Sequence, residues 1–288
     1  MHHSLEKIKK IDLHTHIIPE SWPDWNKEFG RGRWLTIRHD ADGAKLINAD
    51  GTLFRAVEKN CYCPAKRLEE CDTTDVLSTV PGIGFNYGAP SQDALRVAQF
   101  LNDHIGQVIK SEPKRFVGLG TIPLQDSDLA IIELKRCVTE LGMAGVQIGS
   151  HVDGRSLDDS SLEKFWTTVE ELDCAVFVHP WDMSDAERVQ KYWFPCHGFH
   201  ARPDLCQTVT TTDPNLVHDP EILELLVKKF GEDRIILGSD YPFPLGEIDR
   251  PGQLIETTQL AKEPGDTERI RQKLLWKNAV TFLKLPDF

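Results

Sequence analysis

No apolar run approaches the roughly 18 residues that a membrane span requires, and no low-complexity stretch interrupts the 288 residues. Cations are in deficit: 33 Lys and Arg stand against 45 Asp and Glu, a net charge of -12. Phosphate backbones and anionic lipid surfaces both call for clustered Lys and Arg, so nucleic acid and membrane are excluded as partners. A small-molecule substrate remains by elimination. Met1 to Lys10 lacks an apolar h-region, so no secretory signal is expected. No CxxC pair with zinc-finger spacing exists. The seven cysteines are odd in number and scattered, and Cys61 and Cys63 are one residue apart. They are read as free thiols of a reducing compartment, the cytosol.

What is present is enough apolar residue, 40% of the chain, for one α/β barrel or two smaller domains. Short β-branched runs alternate with longer amphipathic ones. Strands are predicted at 10–17, 76–81, 116–122, 144–148, 175–178 and 235–237. Helices are predicted at 91–111, 127–141, 160–172, 220–230 and 267–283. From about 19 to 65 the pattern breaks into an irregular insertion rich in Trp and charge, whose Asp-Gly pairs suggest turns and a small β-hairpin excursion. Continuously apolar strands separated by amphipathic helices imply a parallel sheet buried on both faces. A doubly wound open sheet is the competing architecture, but no GxGxxG follows the first strand. A (β/α)8 barrel gathers residues from the first, middle and last strands better.

Asp12-Leu13-His14-Thr15-His16 carries the strongest chemical signal. Residues two apart on a strand share a face, so His14 and His16 project together as a pair of imidazoles. The alternative is an edge strand whose histidines face solvent. His179 ends the run CAVFV and Asp240 ends IILGS. Taken singly, the first reads as a hydrogen-bonded core histidine and the second as a cap or turn former before Pro242. Together with the pair they supply three nitrogens and one carboxylate at the C-terminal ends of three strands, the end that carries chemistry in a barrel.

Motifs spread along almost the whole chain carry a family resemblance. They include IDLHTHIIPESWPD at 11–24, GTLFRAVEKNC at 51–61, LSTVPG at 77–82, RFVGLGTIPLQ at 115–125, GVQIGSHVDG at 145–154, FVHPWDM at 177–183 and ILGSDYPFPLGE at 236–247. The sequence resembles the 2-amino-3-carboxymuconate-6-semialdehyde decarboxylase family of the amidohydrolase superfamily. That resemblance implies an α/β, (β/α)8 TIM-barrel of the metal-dependent hydrolase type spanning 1–288 as a single domain. It implies one zinc ion held by His14, His16, His179 and Asp240, with Arg55 binding a substrate carboxylate and Asp240 also moving a proton. A planar guanidinium suits the carboxylate role, and the lack of a lysine after GVQIG fits a site for one metal. The implied reaction is loss of CO2 from 2-amino-3-carboxymuconate 6-semialdehyde in tryptophan (kynurenine) catabolism, catalysed by a homodimer. A related lyase or hydrolase of an aromatic acid shares the same four ligands.

One interval departs from the family pattern. After Lys191-Tyr192-Trp193 the family has a long segment with the sixth strand and a base histidine, whereas this chain passes almost directly to Cys196-His197-Gly198-Phe199-His200. A βα unit takes about 30 residues, so the interval before Ile235 is too short for two strands and three helices. The barrel is expected to lack at least one βα unit, in the strand 6 region, with TVTTTD at 208–213 a remnant of the seventh strand. His197, His200 or His218 would have to stand in for the base. Without a substitute, the chain is an impaired isoform that dimerises with and regulates a complete relative.

Overall fold

Strand β1 (Ile11–Ile17) is buried at all seven positions, as befits a strand covered on both faces. The computed structural model describes residues 9–41, 43–181, 209–210, 219–243 and 250–286. After β1 come three short antiparallel strands, β2 (Thr36–His39), β3 (Ala44–Ile47) and β4 (Leu53–Val57), paired in that order. They occupy the expected insertion. Gly51, with φ 85°, turns the chain between β3 and β4 in a conformation that disfavours a side chain.

The alternating part follows with β5 (Thr74–Thr79), β6 (Phe116–Gly120), β7 (Gly145–Gly149) and β8 (Ala175–His179). The sheet order is β1-β5-β6-β7-β8, and the β6–β7 and β7–β8 ladders are parallel. Helices Ser91–Ser111, Ser127–Thr139 and Glu163–Leu172 connect these strands. The first of them buries Ala94, Val97, Leu101, Ile105 and Val108, a stripe at three- and four-residue spacing that faces a core. Asp126 caps the second by accepting from Leu129 N–H.

Two further strands, β9 (Val209–Thr210) and β10 (Ile235–Ile236), pair in parallel. The chain just beyond β10 continues along β1: Leu13 N–H donates to the Leu237 carbonyl and Asp240 N–H to the His14 carbonyl, both at 2.9 Å. Thr15 bridges Tyr241 in the parallel sense. Strands β1, β5, β6, β7 and β8 thus form one five-stranded sheet, and β9 and β10 a separate two-stranded one. TVTTTD at 208–213 contains β9, and the interval in which the sixth strand was expected to be missing lies outside the described residues.

The chain divides into two compact units, one of residues 1–15, 71–76 and 207–288, the other of 16–70 and 77–206. The boundary cuts through β1 and β5. In the first unit Leu223, Ile235, Leu237, Ile255, Leu274 and Leu275 form the core. In the second, one cluster centres on Leu124, Leu134, Ile148 and Phe165, and another on Ile17, Leu77, Ile105 and Phe116.

The C-terminal helix begins at Pro264, three residues before its expected start, and runs to Leu283 through a π turn at Lys273–Lys277. That turn places the Leu274 carbonyl to accept from Leu237 N–H at 3.1 Å. Asn278 Nδ2 donates to the carbonyls of Glu232 and Ile235 at 2.7 and 2.8 Å. The helix thus holds the strand that leads to Asp240. The five cysteines among the described residues carry free thiols, and no described helix is long and apolar enough to cross a membrane.

Candidate metal centre

Each unit holds half of the predicted quartet. In the first, His14 Nε2 lies 3.3 Å from Asp240 Oδ1, the spacing of two donors around one ion with bonds of about 2.0–2.2 Å. In the second, the His16 and His179 rings are 5.2 Å apart between centroids. Strand β1 links the pairs covalently, since His14 and His16 are two residues apart and share a face. One ligand atom from each of the four lies within 4.8 Å of the others. His14, His16 and Asp240 are buried, and His179 is half-buried.

Local chemistry explains how each side chain is aimed. Asp240 adopts φ 60°, a left-handed conformation that Asp tolerates better than most residues. Its N–H donates to the His14 carbonyl, and its own carbonyl accepts from Phe243 N–H at 2.9 Å. Asp240 is thus a turn former and a candidate ligand at once. His179 Nδ1 lies 2.6 Å from the Pro180 carbonyl. A carbonyl only accepts, so Nδ1 carries the hydrogen and Nε2 keeps its lone pair for a metal. The His16 ring is held down at about 3, chiefly by burial, with the Arg67 and Arg55 charges adding to it and a hydrogen bond to the Thr79 backbone opposing it. At neutral pH it is an uncharged imidazole, the form that binds metal.

Other buried polar groups surround the quartet without a role predicted from sequence: Asp12, Ser78 and Gln147 fall within the family motifs, and Arg67 falls outside them. Asp12, on the same face of β1, accepts from Ser239 N–H at 3.0 Å, from the Ser239 hydroxyl and from His14 N–H at 3.2 Å. Burial raises its carboxyl to about 7, with the Asp75 charge pushing the same way against those hydrogen bonds. Arg67 is fully buried and donates to the His16 carbonyl at 2.7 Å. Ser78 and Gln147 are each 1% exposed on strands β5 and β7. Their signal in sequence is that a polar side chain in an all-buried strand is costly unless fully bonded.

Arg55 sits on β4 among exposed residues, and its charge reaches both His16 and Cys61. Phe54 beside it covers Gly82, where a Cβ would come 2.8 Å from the phenyl ring. His197, His200 and His218 lie outside the described residues.

The donor set fits a divalent ion: three imidazoles, that of His179 carrying its hydrogen on Nδ1, and one carboxylate. The sequence profile of the amidohydrolase family matches residues 11–209 and 183–285. The decarboxylase of 2-amino-3-carboxymuconate 6-semialdehyde from Dictyostelium discoideum is 41% identical over 336 aligned positions, covering 96% of this chain and 92% of that protein. The chain belongs to this decarboxylase family of the amidohydrolases.

The Caenorhabditis elegans protein of the same name is 32% identical, covering 98% of this chain and 96% of its own. Both alignments run to more positions than the chain's 288 residues, so these relatives carry residues that this family member lacks. The two profile matches overlap at 183–209, the interval in which the motifs place that loss. Among solved structures, 5-carboxyvanillate decarboxylase from Sphingomonas paucimobilis superposes with a TM-score of 0.70 at 17% identity, covering 97% of this chain and all of the other. Dihydroxybenzoic acid decarboxylase from Polaromonas, solved with manganese and 2-nitroresorcinol, gives 0.66 at 20% identity, with 96% and 97% covered. At these identities the likeness establishes the amidohydrolase fold.

Proposed function

We propose that this chain is a metal-dependent carboxy-lyase that removes CO2 from 2-amino-3-carboxymuconate 6-semialdehyde, yielding 2-aminomuconate 6-semialdehyde in tryptophan catabolism. The observation that carries the reading is the His14, His16, His179 and Asp240 quartet in a chain 41% identical to a decarboxylase of that name. Zinc is the ion this donor set favours, although the Polaromonas structure holds manganese. When bound, the ion supplies Lewis acidity and lowers the pKa of coordinated water.

The chain's own residues supply the rest. Arg55 grips a substrate carboxylate through its planar guanidinium. Its charge, felt at His16, puts that grip within electrostatic range of the ligands. Asp240 combines metal binding with proton movement at Oδ1, the atom 3.3 Å from His14 Nε2. A homodimer in the cytoplasm is the setting that the family resemblance and the free thiols support. The test is decay of the substrate's absorbance with metal-loaded chain, corrected for spontaneous cyclisation. Turnover that disappears on chelation and returns with one equivalent of zinc is expected, and return only with manganese would reassign the ion.

The shorter length relative to both named decarboxylases favours a second reading, in which the chain binds a complete relative and modulates it. Activity of the pure chain against that of a mixture with a complete relative separates the two. A silent chain that changes its partner's rate would support modulation.

A further inference from the structure

The ring of His16 is oriented by a directional hydrogen-bond chain that ends on the backbone. Gln147 Nε2 lies 3.0 Å from the Thr79 carbonyl. A carbonyl only accepts, so the nitrogen end of the amide must face Thr79 and the oxygen end must face away. That oxygen, Oε1, lies 2.7 Å from Ser78 Oγ, and an amide oxygen likewise only accepts. The single hydroxyl hydrogen of Ser78 is therefore committed to Gln147. Ser78 Oγ is also 3.2 Å from His16 Nδ1. With its hydrogen spent, the hydroxyl can only accept there, so His16 carries its hydrogen on Nδ1 and its lone pair on Nε2. His179 reaches the same tautomer in one step, through Nδ1 and the Pro180 carbonyl.

We propose that Ser78 and Gln147 are positioning residues that fix the tautomer of His16 and so present Nε2 to the metal. This rests on the reading of the quartet as a metal site. Both residues are buried and neither is counted among the ligands. The His16 ring also bonds the Thr79 backbone, and a serine alone at Nδ1 would not settle the ring, because a free hydroxyl could donate there and impose the opposite tautomer. Gln147 removes that choice, and the Thr79 carbonyl removes it from Gln147 in turn. Partners of this kind on ligating histidines are worth about 10- to 100-fold in metal affinity.

The experiment uses the full chain labelled with 15N-histidine. Long-range proton–nitrogen correlation reads the tautomers of His16 and His179 in metal-free protein, and chelator competition reads zinc affinity. The variants are Gln147→Leu, Ser78→Ala and Ser78→Thr. We expect a uniform Nδ1–H pattern for His16 in the parent chain, and mixed tautomers with about 10-fold or greater loss of zinc affinity in Gln147→Leu and Ser78→Ala. Ser78→Thr, which keeps the hydroxyl, should restore both. An unchanged His179 signal reports that a variant is folded. If His16 stays uniformly Nδ1–H at parental affinity in both Gln147→Leu and Ser78→Ala, the proposal is overturned. A parent chain that binds no zinc would instead sink the metal reading, and the metal-free spectra would still decide the tautomer question.

Discussion

His14 Nε2 and Asp240 Oδ1, contributed by opposite ends of the chain, stand 3.3 Å apart. The contact exists because the segment after β10 runs beside β1: Asp240 N–H bonds the His14 carbonyl, and Leu13 N–H bonds the Leu237 carbonyl. Asp12 reinforces the junction by accepting from Ser239. The last strand of the barrel is thereby tied to the first within one compact unit.

Removing one ligand tests the quartet. With His179→Ala, three donors remain and the bound ion loses one nitrogen. Metal content, measured by elemental analysis after dialysis against a weak chelator, should fall from about one ion per chain towards none. Parental zinc content in that variant would remove His179 from the ligand set.

Arg55 is expected to act on the substrate and not on the metal. Arg55→Ala deletes a charged hydrogen bond worth about 1.5–3 kcal/mol, which predicts a roughly 10- to 100-fold drop in kcat/KM. Zinc affinity should hold. Arg55→Lys should recover only part of the loss, because an ammonium lacks the two-pronged geometry. Full recovery with lysine would argue for simple charge attraction.

Gly145 opens β7 at a place with no room for a side chain. A Cβ there would lie 1.8 Å from the Ala175 carbonyl oxygen on β8, and backbone cannot rotate aside as a long side chain can. Gly145→Ala should break the pairing of Gly145 with Ala175 and cost about 3 kcal/mol in urea unfolding. A loss below about 0.5 kcal/mol would mean that the two strands separate without penalty.

Acid should weaken the metal-free fold through its buried histidines. His104 is lowered from the ordinary 6.5, chiefly by burial, against a hydrogen bond to the Ile18 backbone. Its Nε2 is buried with no hydrogen-bond partner among the described residues, so a second proton there would find no acceptor. His16 is lowered further, to about 3. As pH falls below 6.5 the unfolded chain takes up these protons before the folded one does. The stability they confer is therefore present above 6.5 and lost towards the folded values. Asp12, raised from 3.8 to about 7, works in the opposite sense, because its folded form is the one that holds the proton. The comparison is therefore made by difference: His104→Asn should flatten the fall in unfolding free energy between pH 7 and 5. Identical slopes in parent and variant would remove His104 from the account.

Much of this was legible in the sequence because it is local. A seven-residue apolar strand with two histidines at a spacing of two states both its burial and its chemistry, since side chains alternate strictly across a strand. Helices Ser91–Ser111 and Pro220–Phe230 fall where periodicity and start signals put them. The short interval between Val178 and Ile235 is what raises the expectation of a missing βα unit, because each unit takes about 30 residues.

Pairings between residues far apart in the chain were decided by the tertiary structure alone. Sequence marks Ser78 and Gln147 as polar residues on apolar strands. The direction of their hydrogen bonds exists only once the Thr79 carbonyl, Gln147 and His16 are brought together. The same holds for Asp12, whose carboxyl is raised because folding buries it beside Asp75 and Ser239. A side chain's type is written in the sequence, but its tautomer and its charge depend on which partners surround it and how much water they exclude.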